Sequence, residues 1–381
     1  MKKINVYGTG VNAVKFVLMN KDIQIEAFIE GQKADKERFM MSAFPYDIPV
    51  VMFGDAEKLL KKNYTVVASS ENTYWEIKDR LEKVYGLIEF ENFEYFETYR
   101  KKIAIIYGNC HTYPIKQALI KSPKFNSTYG FYPLKQIQEI SISNEGASLF
   151  ELNVFERCKL FIHQCIWHKN IYGSEYASEN LIKELPVDCQ VIGIPNVYRM
   201  PRFLYPQMES YDGKILWEGL NYFPFRDRFI DEYHNKLSIR EIKEMILDEN
   251  LICKEDILNK RDEFFDKLIF REKEWDIKVS QFIREKLQDV QMFYEPNHPT
   301  NELIKYIVKN IFSILNISSH NVDLYSLYKM DTFEIPIYAS VKKALGLNYT
   351  TVFLREFNGL KLNSEHMNLE EYIQQYIAWN F

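Results

Sequence analysis

Four short runs, 103–107, 159–163, 190–194 and 289–294, are almost wholly apolar, and they constrain the fold more than any other feature. Each is too short for a buried helix and too continuous for a strand with one wet face. Runs of this kind are strands buried on both sides, as in parallel sheets covered by helices. Helical patterns separate them at 114–120, 174–185, 238–251, 255–270 and 272–287, and a further helix is expected from Thr300 through Leu315. Ser238-Ile239-Arg240-Glu241 reads as a capping box at one of these starts. Strands alternating with helices predict a three-layer α/β domain.

The residues that end these runs are polar. Gly108-Asn109-Cys110-His111 follows the first, Gln164-Cys165 the second, Pro195-Asn196 the third and Glu295-Pro296-Asn297-His298 the fourth. Open α/β sheets bind and react at the carboxyl ends of their strands, so these groups are expected to meet at one sheet edge. Residues 199–237, rich in Tyr, Phe, Pro and Arg, are expected to cover that edge.

The first hundred residues form a separate pattern. Residues 3–29 read strand, glycine turn, helix, strand, with further strands at 49–52 and 64–68 and a helix over 72–85. A helix-rich tail ends at Phe96, and Tyr99-Arg100-Lys101-Lys102 marks a boundary. The chain therefore divides into a small Rossmann-like parallel-sheet domain, 1–100, and a larger domain, 101–381. Gly8-Thr9-Gly10-Val11-Asn12-Ala13 has the form of a dinucleotide fingerprint, with Glu30 about 20 residues onward. Gly8 and Gly10 are thus candidates for weak binding of a nucleotide or nucleotide-sugar, the alternative being a module that only organises the protein.

Composition narrows the class. With 46% hydrophobic and 27% charged residues the chain is globular, and a net charge of -5 gives no basic footprint for nucleic acid. No 18-residue apolar run offers a membrane span, and the apolar stretch at the amino terminus is too short for a signal peptide. Five cysteines, an odd number without the density of a disulfide scaffold, predict reduced thiols and a cytoplasmic protein. A surface strand and an amphipathic helix, 369–377, are expected in the last thirty residues, where a second subunit of a homo-oligomer is one possible partner.

Cys110 carries the chemistry. It sits between a strand end and a helix with Pro114 in its first turn, so the helix dipole favours its thiolate. His298, before Pro299, is the expected base, and Glu295 the carboxylate that orients it. Asn109 is expected to stabilise an oxyanion through its side chain or backbone N–H. Arg199 and Arg202 are candidates to grip phosphates, with Tyr198 or Tyr205 stacking on a base. Cys158, His163, Cys165 and His168, with Cys110 and His111, match no trusted zinc spacing, and no metal is expected.

The larger domain resembles the WcbI-type acetyltransferases of bacterial capsule polysaccharide biosynthesis. The resemblance rests on Gly108-Asn109-Cys110-His111, Gln164-Cys165, Pro195-Asn196 with Tyr198 and Arg199, Asn297-His298-Pro299-Thr300, and Pro336-Ile337-Tyr338-Ala339-Ser340-Val341 leading to Leu345-Gly346-Leu347. It implies a coenzyme A-binding acyltransferase acting on a sugar or polysaccharide precursor, with the Gly-Asn-Cys turn at its active site. His111, Gln164, Asn196 and Tyr198 then join Arg199 and Arg202 as expected coenzyme-binding residues. The layout is also similar to the hydrolases that carry Gly-Asp-Ser on the first strand and Asp-x-x-His near the end, with Asn109-Cys110 and Glu295-x-x-His298 in those places. Two other readings remain: a thiol-dependent glycan esterase, and a non-enzymatic nucleotide-sugar or coenzyme sensor. Covalent and direct acyl transfer both stay open.

Overall fold

The computed structural model describes residues 3–31, 48–137, 139, 152–166, 173–197, 201–210, 225–320, 322–324, 335–349 and 368–381. The chain forms two compact units. One comprises Met1–Tyr107, Pro123–Ile162 and Trp167–Val191, the other Gly108–Ser122, His163–Ile166 and Ile192–Phe381.

In the first unit, β1 (Lys3–Tyr7), α1 (Val11–Met19) and β2 (Gln24–Glu30) make the expected βαβ start, followed by β3 (Val50–Met52), α2 (Glu57–Lys62), β4 (Tyr64–Val67), α3 (Glu71–Tyr85) and β5 (Phe93–Tyr95). The strands form one all-parallel sheet in the order β3-β2-β1-β4-β5. This is the Rossmann order, with its reversal between β1 and β4. Ile4 and Val6 of β1 pack with Ala13 and Phe16 of α1, while Asn5, on the opposite face, donates to Leu59 O at 2.9 Å. Residues 93–95, expected at the end of a helix-rich tail, are instead a strand. Phe93 and Tyr95 are buried and Glu94 is half-buried, an alternation too short to stand out beside its flanks.

A second sheet has the order β7-β6-β8-β9, from β6 (Lys102–Tyr107), β7 (Tyr129–Phe131), β8 (Cys158–Gln164) and β9 (Gln190–Ile194). Three of these are the expected apolar runs; β7, only three residues long, is an addition that pairs parallel to β6. Within this unit the buried Glu89 carboxylate takes hydrogen bonds from Tyr74, Lys78 and Tyr132, which ties α3 to the segment leaving β7. The α/β class and the Rossmann-like sheet are as the sequence predicts.

Two short strands, β10 (Met208–Ser210) and β11 (Phe225–Asp227), pair antiparallel with each other. The fourth apolar run departs from expectation. Residues 287–290 turn out of the Ser280–Lys286 helix, 291–292 are irregular, and only Phe293–Glu295, β12, is strand. It pairs antiparallel with β13, His298–Pro299, in a two-residue hairpin and not with the second sheet. The expected helix 272–287 is likewise broken. The Glu272 carboxylate accepts the N–H groups of Val279, at 2.5 Å, and Ser280, at 2.6 Å, so it caps the second segment and starts it afresh at Ser280. The Ser238/Glu241 capping box is present, on a helix that ends at Ile246. The expected strand ahead of the last helix lies outside the described residues, as do residues 199–200 and 211–224 of the aromatic stretch 199–237; the carboxyl-terminal helix is Leu369–Asn380.

Candidate active site

The site is built from residues 188 positions apart, and two helices explain how they meet. Thr112–Ile120, α4, begins directly after Cys110 and His111, and the helix Asn301–Ile314 begins directly after the β13 hairpin. The two helices pack together. Leu303, Ile304, Ile307, Val308, Ile311 and Phe312 recur three and four apart on the buried face of the second, and Ile115, Ala118 and Leu119 are buried on α4. Packed side by side, they bring their amino-terminal approaches to one place.

The strand-to-helix turn is locked from below. Gly108 has φ +154, and a Cβ there would stand 2.4 Å from Gln164 Oε1, so glycine alone fits. Gln164, expected to contact the coenzyme, is instead fully buried and braces the turn. Its Oε1 accepts the Asn109 N–H at 2.8 Å and its Nε2 donates to Pro195 O at 3.3 Å. Asn109 is buried too: its Oδ1 accepts the His111 N–H at 3.0 Å and its Nδ2 donates to Asn196 Oδ1 at 3.4 Å. The Asn109 backbone N–H is thus consumed by Gln164, which leaves a side-chain N–H as its one route to an oxyanion. The Cys110 N–H has no acceptor among the described residues and faces no such competition. Sequence reasoning passed over this donor because a backbone group carries no residue signature.

Cys110, half-buried, places Sγ 3.5 Å from His298 Nε2. On the other side of the ring, His298 Nδ1 is bonded to Glu295 Oε1 in an ion pair. The hairpin is the reason: β12 and β13 oppose Glu295 directly to His298 across Pro296-Asn297. Glu295 is buried, and its second oxygen accepts the Asn297 N–H at 2.5 Å, which fixes the carboxylate. Burial disfavours the charged imidazole, but the Glu295 carboxylate and the Cys110 sulfur outweigh it and push His298 up to about 10. His298 is therefore a cation at neutral pH.

His111, an expected coenzyme contact, is buried and serves the hairpin. Its Nε2 donates to Asn297 O at 2.5 Å, and burial beside the His298 cation lowers it to about 3, so it stays neutral. Cys110, His111 and His298 place ligand atoms within 4.8 Å of one another, the one such metal-ligating group among the described residues. Cys158, His163 and Cys165 do not join it. Cys165 bonds Glu274 O at 3.2 Å and burial raises it to about 12, which makes it inert; His168 lies outside the described residues. So do Tyr198 and Arg199, whereas Arg202 is exposed and Tyr205 is buried with its hydroxyl on Phe293 O at 2.9 Å, no free stacking surface.

A sulfur, a cationic imidazole and a buried carboxylate in line, on a turn after a parallel strand, are the parts of a nucleophile–acid/base–orienter set. The model of the polysaccharide biosynthesis enzyme family WcbI matches residues 103–320, more than half of the chain. The chain belongs to the WcbI family. A solved structure of WcbI, described as a novel polysaccharide biosynthesis enzyme and as the native protein without a disulfide bond between coenzyme A and one of its cysteines, aligns with a TM-score of 0.54. It shares 18% identity, over 73% of this chain and 90% of that one, and so bears on the fold. No curated protein matches the sequence. The WcbI match spans every member of the Cys110–His298–Glu295 set and begins at β6, leaving the first sheet outside it.

Proposed function

We propose that this protein is a coenzyme A-dependent O-acyltransferase that acylates a sugar hydroxyl in polysaccharide biosynthesis. The observation that carries the reading is the Cys110–His298–Glu295 line, joined to membership of a family of polysaccharide biosynthesis enzymes and to the coenzyme A named for the solved WcbI. The site suits the coenzyme. A half-buried thiol faces an imidazolium, and among the described residues the Cys110 N–H has no acceptor and the buried Asn297 Oδ1 has no hydrogen-bond partner, which makes the latter an acceptor for an amide N–H such as the pantetheine arm carries.

Acyl-coenzyme A would supply an activated acyl thioester. A histidine held near 10 starts as an acid, which favours the covalent route over direct transfer with His298 as first base. The Cys110 sulfur, as its anion, bonds to the acyl carbon; the carbon–sulfur bond to the coenzyme breaks, and His298 Nε2 gives its proton to the departing sulfur. Neutral His298 then takes the proton of the sugar hydroxyl as that oxygen attacks the acyl-cysteine, which regenerates the Cys110 anion and the imidazolium. Glu295 holds the ring and its charge throughout, and the Cys110 N–H with the Asn109 side chain stabilises the oxyanion in both halves.

The test is release of free coenzyme thiol from acetyl-coenzyme A, followed with a panel of sugar acceptors. Acceptor-dependent release that Cys110→Ala abolishes supports the reading. Acetate released from an O-acetylated sugar with no response to coenzyme A would replace it by the esterase.

A further inference from the structure

The first sheet lies outside the family match, and its carboxyl edge is built as a binding site. We propose that it binds a single ribonucleotide carrying a diphosphate. The turn from β1 into α1 leaves the N–H groups of Gly10, Val11 and Asn12 without acceptors among the described residues, and the helix start has no side-chain cap. Gly10 and Val11 are exposed. Gly8 has φ +110, and a Cβ there would stand 2.7 Å from Ala68 O, so a side chain has no room, and Ala13 is fully buried where the helix meets the sheet. Exposed first-turn amides at the positive end of a helix are a site for phosphate oxygens.

Three further groups converge at the end of β2. The half-buried Glu30 carboxylate is held in place by Thr9 Oγ1 at 2.5 Å and by the Gly31 N–H at 2.9 Å. Each oxygen keeps a second acceptor site, which matches the paired hydroxyls of ribose. Tyr7, 2% exposed, has a hydroxyl with no hydrogen-bond partner among the described residues, and that hydroxyl lies 2.9 Å from the point where a Cβ on Gly31 would stand. Arg80 Nη1 is 3.3 Å from the same point. Its exposed guanidinium stacks on Phe53, 4.4 Å from the ring, and has no carboxylate partner among the described residues. A buried donor with no acceptor and a cation with no ion-pair partner among the described residues, both near a carboxylate positioned for a diol, call for a polar ligand there. The strand order places this edge beside the reversal between β1 and β4. Among the described residues the sheet has three strands on the β1 side of that reversal and two on the other, and the groups offered to a ligand all belong to the β1–β2 end or to α3, which suits one nucleotide.

The experiment is calorimetric titration of the full chain with ADP, UDP, 2′-deoxy-ADP and inorganic pyrophosphate. One nucleotide per chain is expected. A Cβ at position 10 meets nothing within 4 Å and aspartate is a good helix cap, so Gly10→Asp should fold, shown by an unchanged thermal midpoint, yet repel the phosphates. It should weaken ADP or UDP roughly tenfold or more, and Glu30→Gln should weaken them by a similar factor. Binding of 2′-deoxy-ADP should be weaker than that of ADP in the unaltered protein and no weaker than ADP in Glu30→Gln. No saturable binding at millimolar ADP and UDP would overturn the proposal. So would binding that neither substitution affects, or pyrophosphate binding as tightly as ADP with Glu30→Gln silent.

Discussion

His298 is tuned by its neighbours to be a cation, and that tuning has consequences at two readouts. Its proton is held to about 10 in the folded chain against an ordinary 6.5. The folded state therefore binds that proton more tightly than the unfolded state, so the pairing with Glu295 contributes fully below pH 6.5 and is lost as pH rises toward 10. Chemical denaturation across that window should show the unaltered protein losing stability relative to His298→Gln, with a constant difference below pH 6.5. A difference that grows upward through the window would mean the pair does not hold the proton. In acyl transfer, His298→Gln should lower kcat by about 10²–10⁴-fold, since both proton transfers pass through Nε2. Cys110→Ser, with the hydroxyl a poorer nucleophile, should fall at least as far; a serine variant at full rate would show that no acyl-cysteine forms. Legibility at this scale was uneven. Cys110, His298 and Glu295 stand out in sequence because side-chain chemistry and position after apolar runs mark them. Gln164 and His111 look like ligand contacts in sequence, which shows an amide and an imidazole at a strand end but not that burial spends them on Asn109 and Asn297.

At the scale of elements, helix packing and hairpin register make the site. The α4 and 301–314 helices are the struts, so a cavity between them should loosen the pairing of Cys110 with His298 while the local Glu295–His298 contact persists. Ile307→Ala, at a buried position, should cost about 2–5 kcal/mol by denaturant midpoint, and should reduce kcat although residue 307 touches no substrate. Gly108→Ala, with a Cβ forced against Gln164, should cost about 1–3 kcal/mol and displace Cys110 with it; an active, equally stable variant would show that the turn tolerates another backbone. Three strands of the second sheet were legible because each is a continuous apolar run. The fourth was not: 289–294 is as apolar as a sheet strand, but its pairing within a Pro-Asn hairpin is decided by contacts outside the run. Short strands such as β5 and β7 carry too few residues for a period to show.

Across the whole molecule, the family match and the Cys110 set occupy the chain from residue 103 onward, whereas the Rossmann-ordered sheet carries a different set of groups. Two sites for two ligands follow. Coenzyme A and UDP should each raise the thermal midpoint with concentration, and together by the sum of their separate effects. Gly10→Asp should remove the UDP increment and leave that of coenzyme A; mutual displacement would mean one shared site. No helix among the described residues is long and apolar enough to cross a membrane. The most direct measurement needs no acceptor sugar. The protein is mixed with acetyl-coenzyme A alone and its peptides are weighed by mass spectrometry. A single acetyl group on the peptide carrying Cys110, released by neutral hydroxylamine as a thioester is, and absent from Cys110→Ala, is the expected result. An unmodified Cys110 beside intact acetyl-coenzyme A would contradict the acyl-cysteine mechanism.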